Sequence, residues 1–179
     1  MITFKKFLSK ALLIVPLFAL ISCGGNASDD DNTNQETRTY EDYKEFIFDD
    51  IDDMYSFDGT YGVYLYSNTC PHCAEIKTNV FNHLDKLKNG DDVLDIKMID
   101  MVGTDSVVSS ELKSKFKTKP ADYTKDDVPN LINEMKKDKP KSVADTYFFY
   151  VPAVYVIEDN TFVNLFAGTS DTVSLLDNN

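Results

Sequence analysis

A chain of 179 residues, 42% of them hydrophobic and 27% charged, is long enough for one domain with its own core. Its 18 Lys+Arg against 30 Asp+Glu give a net charge of −12. That acidity argues against nucleic acid or an anionic lipid surface as a partner, and for a soluble, self-repelling body.

The first 22 residues read as a targeting segment. Lys5, Lys6 and Lys10 form a basic start, and Ala11–Ile21 is an apolar run too short for a membrane span. The run ends Leu20-Ile21-Ser22-Cys23, which resembles the lipobox of bacterial lipoproteins. That resemblance implies cleavage before Cys23, lipidation of Cys23 and residence in the bacterial cell envelope, outside the cytoplasm. An ordinary secretory signal is the alternative, with Cys23 a spare thiol. Cleavage removes three lysines and no acid, so the mature net charge becomes −15. Residues 23–39 are Gly, Asn, Asp, Ser and Thr with almost nothing apolar, a lipid-bearing disordered tether. About 16 flexible residues span on the order of 20–25 Å.

The folded part is expected over residues 40–179, without internal repeats. Tyr43, Phe46, Ile47, Ile51 and Met54 recur at helical spacing and predict a helix over 40–55. Gly62–Tyr66 is a short aromatic and β-branched strand. Ile76, Val80, Leu84 and Leu87 predict a helix over 73–88, closed by Asn89-Gly90. Residues 93–101 read as a strand, 106–116 as helical, and 126–137 as a helix with Pro129 in its first turn, where proline is tolerated. Ala153–Ile157 and Thr161–Phe166 form two strands about a Glu158-Asp159-Asn160 turn, and 170–176 a short last helix. Alternating strands and helices that finish in a hairpin predict an α/β fold, a mixed central sheet flanked by helices.

Chemistry concentrates at Cys70-Pro71-His72-Cys73, between a strand and a helix start. At a helix N-terminus the backbone N–H groups and the dipole favour a thiolate, the species that attacks a disulfide. Pro71 starts the helix without wasting a donor. With Cys23 lipidated, Cys70 and Cys73 are the mature chain's cysteines. His83 falls some ten residues along the helix from Cys73 and reads as a surface or satisfied helix histidine.

Cys70-Pro71-His72-Cys73 after a strand, Val151-Pro152 immediately before another, and a terminal hairpin ending in Gly168 resemble the thioredoxin superfamily over residues 40–179. The resemblance implies a thioredoxin-like fold, with residues 104–146 a modest helical insertion. It implies a cis-proline at Pro152 facing the cysteines and shaping a groove for a substrate strand. It also implies Cys70 as the exposed nucleophile and Cys73 as the buried resolving thiol. The Pro-His pair resembles DsbA-type disulfide-forming enzymes, as does Val151. In that setting His72 donates to the Cys70 thiolate or, protonated, stabilises it, and the disulfide becomes more oxidising. Two departures stand out. Tyr64 occupies the position where many members keep a buried acid that moves a proton for the second cysteine. Asn68-Thr69 makes the approach to the motif polar.

The function so implied is extracytoplasmic thiol–disulfide exchange with exported proteins, in the oxidase direction, recharged by a membrane redox partner. The expected protein is a lipid-anchored monomer with no cofactor and no metal. A zinc reading has only half a ligand set in Cys70 and Cys73, with no second pair. A reductase of exported proteins and an accessory binding module for export remain open. The run Tyr147–Tyr150 is either client-binding surface or, the preferred reading, core.

Overall fold

The structure is a computed structural model, and it describes residues 37–104 and 106–178. The signal segment, Cys23 and all but the last three residues of the expected tether lie outside the described residues.

The sheet has four strands in the order β2-β1-β3-β4: β1 Thr60–Tyr66, β2 Asp95–Asp100, β3 Ala153–Glu158 and β4 Thr161–Ala167. β1 pairs parallel with β2 and antiparallel with β3, and β3 pairs antiparallel with β4. The β3–β4 turn is built on Asp159 and Asn160, both at positive φ, as a two-residue hairpin requires. The helices are α1 Pro71–Glu75, α2 Lys77–Asn89, α3 Ser110–Ser114, α4 Val128–Asp138 and α5 Thr169–Asp177. This is the mixed, helix-flanked sheet expected from the sequence.

Residues paired across the strands share a face, so each face carries its own core. Tyr64, Met98 and Val154 lie in one row, with Tyr66 two residues along β1. Tyr66 stacks on Tyr40 at 3.9 Å between centroids, and Phe81 of α2 closes on Tyr40 and Tyr43. On the opposite face Tyr155 meets Phe116, and its hydroxyl donates to the Tyr147 carbonyl at 2.9 Å. The first face lies under the N-terminal turns and α2, the second under residues 101–152. Gly62 is required on the first face, because a Cβ there would stand 2.7 Å from Ile96 Cδ1 and 2.8 Å from Val154 Cγ1.

The structure departs from the expected elements in three places. The helix over 40–55 is two short 3₁₀ helices, Tyr40–Phe46 and Ile51–Tyr55. Between them Ile47 bridges Met98, and the Phe48 amide donates to the Met98 carbonyl. The backbone there completes the sheet edge, and Asp50 recaps the chain by accepting from the Asp52 amide. The helix after the cysteines is divided at Ile76, where φ −101 and ψ 4 depart from the helix, and it ends on Gly90 in the left-handed conformation. The helical run expected over 106–116 shrinks to α3, capped by Ser109. Arg38, at the end of the expected tether, is tied to α2 through Asp85 and through Asn82 at 2.9 Å.

Candidate active site

Cys70 is the N-cap of α1 and Pro71 its first residue. The turn before it is fixed by the Cys70 amide donating to the Ser67 carbonyl at 3.0 Å. Both cysteines are free thiols. Eighty-one positions on in sequence, the Val151-Pro152 peptide is cis and lies against the motif. The Cys70 thiol is 3.7 Å from the Val151 carbonyl, donating to it. The sequence-predicted residues Cys70, Pro71, Cys73, Val151 and Pro152 are thus brought together.

Two expectations need correction. Cys70 is not the exposed sulfur: it is only 5% accessible, because the N-cap is packed beneath the Val151 loop. Nor does His72 donate to Cys70. Its Nδ1 faces Glu75 Oε2 at 3.2 Å, one turn along the same helix, and the ring points into solvent.

Cys73 is buried beside Cys70. Burial pushes its thiol up to about 12, and the neighbouring Cys70 adds to the rise. The Ser67 backbone and the Tyr64 hydroxyl pull the other way, as groups that would donate to the sulfur once it is charged. Tyr64 is itself buried, and burial raises its phenol well above the ordinary value. Its hydroxyl lies close to the Tyr40 hydroxyl and the Cys73 sulfur, yet it completes a hydrogen bond with neither. A small cavity of about 100 Å³ reaches Cys73 from this side, lined also by Tyr40, Asn68 and Lys77. Asp100 stands nearby, held by Asn68 Nδ2 at 2.6 Å, and burial raises its carboxyl above the usual range.

On the other side, His72, Val151 and Pro152 form one end of a groove of about 980 Å³ that continues between α4 and the end of β4. The far wall of this groove comes from residues 119–136, which no motif in the sequence marks. Tyr147, Phe148 and Phe149 are buried as core, while Tyr150 is 39% exposed and lines the groove with Phe149. His83 lies outside the site. It is buried between elements, with Nε2 2.8 Å from the Leu94 carbonyl and Nδ1 3.1 Å from the Leu176 carbonyl. Among the described residues no cluster of three or more His, Cys, Asp or Glu could hold a metal ion.

No protein-family model matches the chain, and no curated protein matches it. Among solved structures the chain is similar to the oxidised form of mitochondrial thioredoxin 3 from Saccharomyces cerevisiae. The identity is 10% and the TM-score 0.35, over 70% of this chain and 85% of that one.

Proposed function

We propose that the protein is an extracytoplasmic thiol–disulfide oxidoreductase, lipid-anchored through Cys23, that exchanges a Cys70–Cys73 disulfide with exported proteins. One observation carries this reading. Two reduced cysteines lie at one helix start, one capping the helix against a groove-lining loop and the other buried behind it with its thiol held protonated.

In the oxidase direction a substrate thiolate attacks Cys70 Sγ of the disulfide. The S–S bond breaks, Cys73 leaves as the thiolate and takes up a proton. A second substrate thiolate then attacks the substrate sulfur of the mixed disulfide and expels the Cys70 thiolate. The substrate dithiol is oxidised, the protein is left as the dithiol, and a membrane redox partner reoxidises it. The Pro71-His72 pair supports this direction. The reverse direction is favoured by the pairing of His72 with Glu75, which leaves Cys70 without the donor that would hold the reduced form.

The test is the equilibrium reduction potential of the pair, measured by thiol trapping across a glutathione series. A value more oxidising than about −180 mV supports the oxidase, and one below about −270 mV makes the protein a reductase. Trapping separates the two sulfurs as well. Cys73→Ala is expected to hold substrates as mixed disulfides, and Cys70→Ala to hold none. A pair of variants that trap equally, or not at all, would remove the exchange reading.

A further inference from the structure

The groove beside Pro152 carries a charge pattern opposite to that of the chain as a whole. In a chain with 30 acidic and 18 basic residues, Lys119, Lys125 and Lys136 all line it, against a single carboxylate, Asp171. Lys119 differs from its neighbours in sequence. Lys115 reaches Asp50 at 3.0 Å and Asp52 at 2.8 Å, and Lys117 reaches Glu134 at 2.9 Å. Among the described residues Lys119 has no carboxylate partner. Its Nζ is 4.3 Å from the Tyr123 ring centroid and 5.1 Å from that of Phe149. The rings hold the ammonium in place, and burial lowers its pKa. A part-desolvated cation without a counter-ion is an unfavourable arrangement that an incoming carboxylate relieves. Val128, Ile132 and Phe149 supply apolar wall beside it.

We propose that this end of the groove selects extended polypeptides that carry a carboxylate, next to an apolar side chain, on the same stretch as their reacting cysteine. The inference rests on the disulfide-exchange reading and names the substrate class of that site. A polypeptide fits better than a small acidic thiol, because about 980 Å³ is near the upper end of small-molecule sites and the groove runs on from the loop that covers Cys70. All three lysines belong to the segment 104–146, so the selectivity lies in the insertion and the sulfur chemistry in the sheet and α1.

The experiment uses the oxidised full-length chain and short peptides with one cysteine. Glu is walked through successive positions on either side of the cysteine and compared with Gln at each. The rate of mixed-disulfide formation is read by thiol trapping. At the best position Glu is expected to react about tenfold faster than Gln at low salt, the gap closing as salt is added. The Glu/Gln ratio should fall towards one in Lys119→Met, which keeps the aliphatic stem on the rings, and persist in Lys119→Arg. Because it is a ratio within each protein, a general loss of activity does not mimic it. Equal rates for Glu and Gln at every position, with exchange proceeding, overturn this inference and leave the exchange reading intact. Failure to exchange with any thiol overturns both. An advantage of the same size for a carboxylate-bearing tripeptide thiol overturns the assignment to polypeptides.

Discussion

Tyr64 takes the place where a proton-moving acid was expected, and its surroundings give it a different task. A buried hydroxyl without a partner is unfavourable unless some state of the protein supplies one. The Cys73 thiolate is such a state: when Cys73 ionises, the Tyr64 hydroxyl has a strong acceptor beside it. Tyr64→Phe is therefore expected to raise the Cys73 thiol further and to slow its attack on a mixed disulfide about three- to tenfold near neutral pH. The pH–rate profile of that step should move to higher pH, while attack at Cys70 keeps its own profile. Stopped-flow measurement of the two steps distinguishes this from a general loss, and an unmoved profile for Cys73 would show that Tyr64 only fills space. The residues of the motif were legible because spacing along the chain identifies them. The carbonyl over Cys70 and the Phe149 ring under Lys119 were not, since each comes from a segment far along the chain.

At the scale of elements, the difference between legible and hidden is the difference between local and tertiary satisfaction of the backbone. α2, α4 and the terminal hairpin follow their periodicity and caps. The run 40–55 has helical spacing, but the Phe48 amide finds a better partner in the Met98 carbonyl, and the helix breaks around that bridge. Residues 106–116 shrink to five helical residues because the Ser109 amide is taken by the Met101 carbonyl at 2.7 Å. His83 is the clearest case of an element-level role hidden in sequence. Two carbonyls, one just before β2 and one in α5, converge on its ring. A ring protonated on both nitrogens satisfies both, and a neutral ring satisfies one. His83→Leu keeps the bulk but strands both carbonyls, and is expected to cost about 2–3 kcal/mol in denaturant unfolding. Gly62→Ala pushes a methyl into Ile96 and Val154, and is expected to cost about 1–3 kcal/mol by overpacking. A neutral effect of either change would mean that α5 or the sheet yields without loss.

For the whole molecule, the alternation of strands and helices was enough to place a mixed sheet with a core on each face, but not to show what fills those cores. They are unusually phenolic. Tyr40, Tyr43, Tyr55, Tyr64, Tyr66 and Tyr155 are all buried, and burial raises every one of them above 10.0, Tyr43 to about 12. Each therefore holds its proton in the folded chain at a pH where the unfolded chain has lost it. With more protons bound in the folded state, stability falls as pH rises. The contribution is fully present below pH 10 and is lost as pH climbs from there through the folded values. Tyr40, Tyr64 and Tyr66 are in contact through stacked rings, and ionising any of them inside the core costs the packing of the others. Tyrosinate absorbance is therefore expected to stay low through the ordinary tyrosine range and then to rise in one step above about pH 11, together with the loss of far-ultraviolet circular dichroism. A gradual rise centred near 10 with circular dichroism intact would mean that these hydroxyls reach water in the folded state. The cavity at Tyr40 and Cys73 would then be wide enough to carry protons to the resolving thiol unaided.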